Sequence, residues 1–588
     1  MKYHQRDRFE EKSEIKAKTD KVGIFDEEYE KGGAPVLFEK QNMYLDTSEA
    51  HSLVIGTSGC GKTNWLMLLM LTLIRATESM VILDLKQELY NQFHEELKRQ
   101  GYKVHLINMR NLLSSERINV LEYIYNLYKS GKPSDMKTAM ENLDSLANEI
   151  TKDPEAREKY WSDSAKQLFM ALCEALFIAG RPEQIHLFNV YYMLEKGSEK
   201  LGMNTCLQIF LKEIIGQSTT ACINGGVYTN NADVTRNAIE SVLRRGLSNF
   251  IGSEVLKDTF SNNGFDISSI DNEKTTTFIV VPDEATTYHK HAGLFIKQIY
   301  QQYLALAHEK YNGRLPRRVN FIMEEFGNIK IDDAPTMFSA VRSRNIRMHC
   351  VLQSFAQLEQ YGPQAKIIKD NCANWLYFYT PDIKTLEELS KRCGERRVDV
   401  NGQPSTKPLL SITDLQGFEL GQGLFLGKGG TKYVTKIPHV SKCGIKEPKE
   451  VELEERELEE ICLFDVEEFV KDYKREKFAK LTSSLKSPVE DNSNENISAK
   501  KNTNESSLRP KRIKYEKFKE IFKNEKSEDE NDANKGSQEY EHISDIFARE
   551  WREELEKHLE IAIDDEEELE SEIDAEEQLE IAIETDDE

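Results

Sequence analysis

Short apolar runs alternate with helical stretches along the first 130 residues. The runs lie at 51–56, 79–85 and 104–108, and their length and composition are typical of buried strands. The stretch Trp65–Ile74, between the first two runs, is almost wholly apolar and is predicted to be a buried helix. Strands that alternate with helices are typical of a parallel sheet with helices on its faces. The pattern therefore predicts an α/β fold.

The strand pattern stops at about residue 131 and resumes after residue 249. The windows Trp161–Ile178 and Thr235–Phe250 have the period of amphipathic helices instead. Later apolar runs, each typical of a strand, lie at 275–282, 318–324, 347–353, 374–380, 423–427 and 432–437. We therefore expect an all-α insertion that interrupts the sheet, which the later strands then complete.

Both ends of the chain are polar. Residues 1–40 have mixed charge, and a loop is expected at Gly32–Pro35. Residues 446–480 are charged and predicted to be helical, whereas 481–540 are rich in Ser, Asn, Lys and Glu, as in disordered linkers. The last 48 residues hold 22 acidic against 3 basic residues, and Leu-Glu-Ile-Ala-Ile occurs twice in them. Such a tail suits either docking of a protein partner or solubility.

The acidic tail changes the meaning of the net charge. The chain carries −24, of which −19 lies in the last 48 residues, so the first 540 carry only about −5. Nucleic acid is therefore not excluded as a partner. The nine cysteines are odd in number and include no C-x-x-C pair, which indicates a reducing compartment without a disulfide framework or a zinc site. No signal peptide and no apolar run of membrane-spanning length is present in the sequence.

The first apolar run breaks into glycines and ends in Lys62-Thr63. Residues Gly56–Thr63 match the complete G-x-x-x-x-G-K-[ST] pattern, in which a strand leads through a loop into a helix. Backbone N–H groups of the loop would bind phosphate, Lys62 would reach the β- and γ-phosphates, and the Thr63 hydroxyl would bind Mg²⁺. An ordinary Gly-rich turn would leave the Lys-Thr pair unexplained. The predicted nucleotide-binding residues are Gly56, Thr57, Ser58, Gly59, Cys60, Gly61, Lys62, Thr63 and Asn64.

Hydrolysis also needs a carboxylate near the metal and a group that activates water. The apolar run at 318–324 ends in Glu324-Glu325, so Glu324 is predicted to help hold Mg²⁺ and Glu325 to act as general base. Gln353 ends the next run and could sense the γ-phosphate, although a Gln that caps a strand fits as well. Arg342 and Arg344 lie between these runs, where an arginine could act on a neighbouring subunit or simply belong to a solvated basic loop.

The order of these motifs resembles that of the coupling proteins of type IV secretion systems, the TraG/VirD-type family of P-loop ATPases related to FtsK-type translocases. The similarity runs from about residue 33 to residue 440. The matching segments are Gly56–Thr63, Asp84–Leu89, Arg117–Leu121, Trp161–Ala165, Glu324–Asn328, Arg342–Ile346 and Leu352–Leu358. No single later segment is decisive, but their order and spacing together make a chance match improbable.

The resemblance implies a RecA-like ATPase domain with an all-α insertion, and a ring of six subunits with ATP and Mg²⁺ bound between neighbours. It makes Arg344, with Arg342 second, the candidate arginine that acts in trans, and Gln353 the γ-phosphate sensor. The expected partners are single-stranded DNA with its relaxase and the components of the secretion channel. The expected activity is ATP hydrolysis coupled to transfer of that substrate.

Two features depart from the family pattern. Family members commonly have Asp where this chain has Glu324, and the extra methylene keeps the charge but shifts the geometry at the metal. The typical N-terminal transmembrane helices are also absent from the sequence. We therefore expect a cytoplasmic protein. Either a separate small membrane protein anchors it at the inner face of the membrane, where it is peripheral, or the ring works in the cytoplasm.

The sequence thus divides into six segments: a polar N-terminal segment (1–40), the first part of the ATPase domain (41–130), the all-α insertion (131–249), the second part of the ATPase domain (250–445), a charged helical and low-complexity linker (446–540) and the acidic tail (541–588). Two other functions remain open at this point. One is a receptor platform that binds protein cargo and uses nucleotide for assembly, and the other is a cytosolic FtsK-like DNA translocase of a phage or a defence system.

Overall fold

The protein is described by a computed structural model. The structure describes residues 8–152, 159–216, 219–265, 271, 273–284, 287–400, 403–446 and 450–486. The predicted acidic tail, its docking role and the low-complexity linker beyond residue 486 lie outside these residues.

An antiparallel sheet of three short strands precedes the main body. Helix α1 (Lys12–Lys18) is followed by β1 (Asp20–Gly23), β2 (Ala34–Glu39) and β3 (Asn42–Asp46), with β3 in the middle. The expectation of a loop at Gly32–Pro35 is therefore wrong at Ala34 and Pro35, which begin a strand. The strand forms here because Val36 and Leu37 are buried against the main body, and the Trp65 indole donates a hydrogen bond to the Pro35 carbonyl (3.0 Å).

The main sheet has nine strands within the described part of the chain. They are β4 (Ser52–Ile55), β5 (Ser79–Asp84), β6 (Lys103–Asn108), β9 (Thr275–Val280), β10 (Val319–Met323), β11 (Ile346–Leu352), β12 (Asn374–Tyr377), β15 (Gln422–Gly427) and β16 (Thr431–Lys436). Two short hairpins lie apart from this sheet: β7–β8 (Lys200–Leu201, Asn204–Thr205) and β13–β14 (Glu395–Val400, Gln403–Pro408). All nine were expected as apolar runs, and their bounds differ from the predicted ones by three residues or fewer.

The strands of the main sheet lie in the order β16-β15-β12-β4-β11-β10-β5-β9-β6. Every neighbouring pair is parallel except those that involve β15. Alternate side chains of a strand point to opposite faces, so Leu53 and Ile55 belong to one core and Val54 to the other. A sheet with both faces buried explains why its strands are continuously apolar. The predicted mostly parallel α/β fold is confirmed.

Helices cover both faces of this sheet. They are α2 (Lys62–Arg75), α3 (Glu88–Arg99), α12 (Thr287–Lys310), α13 (Ala334–Ala340), α14 (Ala365–Asn371), α15 (Ile383–Cys393) and α16 (Ile412–Gln416). Between β6 and β9 the chain forms α4 (Glu122–Lys129), α5 (Pro133–Thr151), α6 (Lys159–Ala179), α7 (Leu187–Lys196), α8 (Cys206–Ile209), α9 (Thr220–Thr229), α10 (Asp233–Ile251) and α11 (Glu254–Ser261). These helices, which we call the α bundle, interrupt the sheet where an all-α insertion is predicted.

A buried ion pair, located where strands β5 and β11 begin, joins the main sheet to the N-terminal segment. The Arg347 guanidinium, 1% exposed, lies 2.6 Å from a carboxylate oxygen of Glu78. Asn320 donates to the same oxygen (2.9 Å) and accepts from Arg347 Nε (2.8 Å). The other Glu78 oxygen accepts from the Gly32 N–H (3.1 Å), and Arg347 Nη1 donates to the Gly32 carbonyl (3.2 Å). Each charge therefore has several polar partners.

Residues 450–465 form an extended strap rather than the predicted helix. Their polar groups are bonded to distant parts of the chain: the Arg456 N–H donates to the Leu113 carbonyl (2.9 Å) and Arg456 Nε to the Ser115 carbonyl (2.9 Å). Arg456 also pairs with the buried carboxylate of Asp258, which accepts from the Glu459 N–H (2.9 Å) as well. These bonds replace those that a helix would make, which explains the error. The predicted helix begins later, as α17 (Val466–Lys486).

The second half of the strap lies on the α bundle. Asn189 in α7 donates from its side-chain amide to the Cys462 carbonyl (2.9 Å) and accepts from the Phe464 N–H (3.0 Å). Phe464 and Val466 are then buried in the core of the bundle. The strap thus joins the edge of the sheet near Ser115 to the α bundle.

Replacing Arg347 by alanine is expected to lower the free energy of unfolding by about 3–5 kcal/mol, because Glu78 would remain buried without its cation. Thermal and chemical denaturation would measure the loss. Arg314→Ala is the matched control, since the Arg314–Glu49 pair is half-exposed and is worth less than about 1 kcal/mol. Equal effects of the two changes would contradict a special role for the buried pair.

Replacing Arg456 by alanine is expected to free the strap. The strap is rich in glutamate, so cleavage by a glutamate-specific protease within 450–465 should become faster, and mass spectrometry of the fragments would locate it. Arg475→Ala is the control, because Arg475 is exposed and pairs with Asp472 on the same helix, α17. Cleavage of the strap at the same rate in both variants would show that Arg456 does not hold it.

Candidate nucleotide-binding site

The Gly-rich loop follows β4 and is tied to both neighbouring strands. The Gly56 N–H donates to the Leu352 carbonyl at the end of β11 (2.9 Å), and the Thr57 N–H donates to the Tyr379 carbonyl just after β12 (2.8 Å). The loop therefore starts at the carboxyl edge of the sheet, where parallel α/β sheets bind their ligands.

Two glycines are required by the shape of this loop. Gly61 immediately precedes α2 with a φ of +110°, a conformation that side chains with a Cβ rarely adopt. A Cβ on Gly56 would lie 2.4 Å from the Cys60 sulfur. The loop thus leads into the N-terminus of a 14-residue helix, whose unpaired N–H groups and dipole favour an anion.

Lys62 is buried and lies between the loop and a carboxylate. Its ammonium donates to the Thr57 carbonyl (3.0 Å) and lies 3.5 Å from Glu325 Oε1. The side chain is only 7% exposed, so the charge is confined to the loop by these contacts. An anion placed in the loop would meet a cation that is already in position.

Glu324 and Glu325 follow β10 and point to the same side of the sheet edge. Consecutive side chains of a strand normally point to opposite faces. Here Glu325 has a φ of +50° and a ψ of +43°, a left-handed conformation that is uncommon for a residue other than glycine. The turn brings Glu325 to Lys62, while Glu324 Oε1 accepts a hydrogen bond from the Thr63 hydroxyl (3.1 Å).

Asp84 is a further carboxylate at this edge. Leu83 pairs with Met323, so Asp84 and Glu324 are the next residues of two neighbouring parallel strands. Both side chains are buried, with Asp84 inaccessible and Glu324 5% exposed. The Tyr90 N–H donates to one oxygen of Asp84 (2.8 Å), whereas its other oxygen and Glu324 Oε2 make no hydrogen bond to any residue that the structure describes.

Burial raises the pKa of both carboxyl groups. Loss of solvation raises the pKa of Glu324 to about 8, with the charge of Asp84 as the next cause, while the hydrogen bond from Thr63 opposes the shift. Burial raises the pKa of Asp84 to about 6, and the Tyr90 N–H partly offsets it. At neutral pH Glu324 therefore holds a proton, which a cation could displace.

The donor set at this edge fits a small divalent cation. The Thr63 hydroxyl and the two unbonded carboxylate oxygens are hard ligands of the kind that Mg²⁺ prefers. No cluster of three or more His, Cys, Asp or Glu side chains able to hold a metal by itself occurs among the residues that the structure describes. This is no obstacle for Mg²⁺, which usually binds through one or two protein ligands and the phosphates of its substrate.

Gln353 lies at the end of β11, between the loop and the glutamates. Its side-chain amide donates to Glu325 Oε2 (3.1 Å), and its backbone N–H donates to the Gln357 side chain (2.7 Å). Lys62, Glu325 and Gln353 therefore form one connected group. The end of the sheet thus brings together the residues with predicted catalytic or metal-binding roles that follow β4, β10 and β11, namely Lys62, Thr63, Glu324, Glu325 and Gln353.

The predicted arginines are not at this edge. Arg342 and Arg344 precede β11, so they lie at the amino edge of the sheet, about 20 Å from the loop for a strand of this length. Arg342 is exposed, and Arg344 contacts the Ala340 carbonyl and the His308 ring. Neither can reach the loop of its own chain.

Asn64, the last of the predicted binding residues, has its side chain engaged elsewhere. Its amide group donates to the Pro438 carbonyl (2.9 Å), and its oxygen accepts from the Val440 N–H (2.9 Å). The side chain therefore holds residues 438–440 against the start of α2. Only the backbone of Asn64 remains for a direct phosphate contact.

Asp84 is the residue that the sequence-based site did not include. The signal was present: Met80–Asp84 is an apolar run that ends in a carboxylate, just as Val319–Glu324 does. Only the pairing of β5 with β10 shows that the two carboxylates lie side by side, and that pairing joins strands more than 200 residues apart.

Comparison with known families gives a match over most of the chain. The model of the family described as "Type IV secretory system Conjugative DNA transfer" matches residues 4–413. The type IV secretion system-coupling protein VirD4 of Bartonella quintana is 22% identical over 403 residues, which are 64% of this chain and 58% of that protein. VirD4 of Bartonella henselae is 22% identical over 405 residues with the same coverage. The chain thus spans 58% of the length of these two relatives.

Solved structures of the plasmid coupling protein TrwB have the same fold. The complex of TrwB with ADP and Mg²⁺ has a TM-score of 0.55 and 16% identity, covering 77% of this chain and 96% of that one. The complex with the ATP analogue ADPNP has a TM-score of 0.54 and 17% identity, covering 74% and 93%. The likeness confirms the predicted RecA-like P-loop fold. Among the described residues, no helix combines the length and the apolar character needed to cross a membrane.

The shifted pKa of Glu324 predicts a pH-dependent stability of the protein without ligands. An unfolded Glu ionises near pH 4.5, whereas Glu324 in the folded protein stays protonated up to about pH 8. At this group the folded state binds more protons in this window, so the contribution of Glu324 to stability falls as the pH rises from 5 to 8, by at most about 1.4 kcal/mol per pH unit. Glu324→Gln should remove this fall, measured as thermal midpoints at several pH values.

Glu309→Gln is the matched control, because Glu309 is exposed on α12. Its stability profile should run parallel to that of the wild-type protein. A parallel profile for Glu324→Gln would instead show that Glu324 is ionised in the folded state at neutral pH.

Proposed function

This chain belongs to the type IV secretory system conjugative DNA-transfer family, and on that premise we propose that it is an ATP-hydrolysing coupling protein. It recruits a DNA–relaxase complex, or an effector protein, and drives its transfer into a secretion channel. The observation that carries the proposal is the connected group of Lys62, Glu325 and Gln353 beside the phosphate loop. A site that only bound nucleotide would need the loop alone.

The nucleotide is ATP with Mg²⁺. TrwB, which shares the fold, has been solved with ADP and Mg²⁺ and with an ATP analogue. In this chain the loop N–H groups and Lys62 hold the phosphates, while the Thr63 hydroxyl and Glu324, directly or through water, hold the metal. A Mg²⁺ ion held there would supply positive charge that offsets the charge of the phosphates.

Glu325 acts as the general base. Its carboxylate is shared between the Lys62 ammonium (3.5 Å) and the Gln353 amide (3.1 Å). Phosphate oxygens compete with Glu325 for Lys62, which frees one carboxylate oxygen to accept a proton from the attacking water. Gln353 keeps Glu325 oriented and reports the γ-phosphate through the same amide group.

The position of the arginines supports a ring in which each site is completed by a neighbour. Arg342 and Arg344 lie at the opposite edge of the sheet from the loop, so an arginine of this pair can act only on the site of another subunit. A head-to-tail ring places opposite faces of identical subunits in contact. We therefore assign Arg344, or Arg342, to the transition state of the adjacent site in a homo-hexamer.

The remaining partners are those of a coupling protein. Single-stranded DNA with its relaxase is the cargo, and the channel components receive it. The protein works on the cytoplasmic side of the membrane, where a separate small membrane protein anchors it. The acidic tail is assigned to docking of a protein partner.

The proposal is tested by ATP hydrolysis with and without single-stranded DNA at two salt concentrations. Lys62→Ala is expected to lower the rate about 10²–10³-fold, because the cation at the phosphates is lost. Glu325→Gln is expected to bind ATP normally but to lower kcat by about 10²–10⁴-fold. Stimulation by DNA should weaken at the higher salt concentration, since a translocating protein contacts mainly phosphates.

Lys98→Ala, on the exposed side of α3, is the control and should retain the wild-type rate. A wild-type protein that binds ATP but hydrolyses none, with or without DNA, would exclude the pumping role. It would favour the receptor platform instead.

A further inference from the structure

The segment 437–444 lies beyond the family match and beside the phosphate loop. It follows β16, which is antiparallel to β15, which in turn is antiparallel to β12. Since β12 is parallel to β4, strand β16 runs in the same direction as β4 and ends at the same edge of the sheet. The chain therefore leaves β16 at the edge where the loop lies.

Asn64 fixes this segment to the first turn of α2. Its two hydrogen bonds, to the Pro438 carbonyl and from the Val440 N–H, are both 2.9 Å long. The Ile437 N–H donates to the Gly421 carbonyl (2.7 Å), and Cys443 is 1% exposed in the core that also contains α2. Both ends of the segment are thus anchored by contacts within the chain itself.

The direction of a bound nucleotide follows from the arrangement of the strands. Lys62, Glu325 and Gln353 mark the γ-phosphate end, on the side of β4 where β11 and β10 lie. The phosphates run along the loop, so the α-phosphate and the nucleoside leave on the other side of β4. That side holds β12, β15 and β16, and therefore the segment 437–444.

We infer that the segment 437–444 is the wall against which the ribose and base of the nucleotide pack, with His439 as the contacting side chain and Asn64 as the positioning residue. This inference rests on the proposed ATP site and adds the part that recognises the nucleoside.

His439 has the exposure and the hydrogen bonding that this role requires. Its ring is exposed, and its Nδ1 accepts from the Ser441 N–H (3.3 Å) and contacts the Ser441 hydroxyl (2.9 Å). Because Nδ1 is the acceptor, the proton of the neutral ring is on Nε2, which can donate to a ribose hydroxyl or a base. The flat ring can also stack on a base, an interaction that tolerates different bases.

The test separates the nucleoside from the phosphates. Calorimetry on the full chain would measure binding of Mg-ATP and of inorganic tripolyphosphate with Mg²⁺. His439→Ala is expected to weaken the binding of ATP about tenfold and to leave the binding of tripolyphosphate unchanged, because only ATP has a ribose and a base for the ring to contact. Asn64→Ala should act in the same way, since it releases the segment that carries His439.

Two controls distinguish failure of this inference from failure of the ATP site. Lys62→Ala should weaken both ligands, which tests the proposed site itself. Lys446→Ala, an exposed change just after the segment, should alter neither. Lys62→Ala could weaken the binding of both ligands while His439→Ala and Asn64→Ala leave ATP binding unchanged. That result would support the proposed ATP site and contradict the assignment of the segment 437–444 to the nucleoside.

An equal loss of affinity for ATP and for tripolyphosphate in His439→Ala would also overturn the inference, because the segment would then support the phosphate loop and not contact the nucleoside. If wild-type protein binds neither ligand, the proposed ATP site fails and the wall fails with it.

Discussion

The parallel alignment of β4, β11, β10 and β5 is the constraint on which the site depends. Each strand ends at the same edge, and each contributes one element of the site as it ends: the loop, Gln353, the paired glutamates and Asp84. A slip of one residue in the pairing of β10 with β5 would turn every side chain of the strand to the other face. The buried cores on both faces of the sheet therefore fix the positions of the site residues as well as the fold.

The same edge of the sheet also contains residues whose burial or backbone conformation is energetically unfavourable. Asp84 and Glu324 are buried side by side, and Glu325 has an uncommon backbone conformation. By contrast, the buried pair of Glu78 and Arg347 has several polar partners. Local disadvantages of this kind concentrate at functional sites, where a ligand relieves them.

Much of the fold could be predicted from the sequence because its strands are buried on both faces and therefore read as apolar runs. The motif around Lys62 identified the loop, and the run before Glu324 identified the glutamates. Features that depend on distant contacts could not be predicted. Residues 450–465 have a charged, helix-like composition, but Asp258 and the Ser115 carbonyl hold them extended. Likewise, the pairing of Asp84 with Glu324 and the bonds of Asn64 join parts of the chain that are hundreds of residues apart.

The strap also has a mechanical meaning. The chain enters and leaves the α bundle through two segments that lie side by side, since the Ile118 N–H bonds the Thr259 carbonyl and the Phe265 N–H bonds the Arg117 carbonyl. The strap passes the same place at Arg456 and continues to Asn189, so it forms a third connection between the sheet and the α bundle. The orientation of the α bundle is therefore restrained by three segments of the chain and not by two.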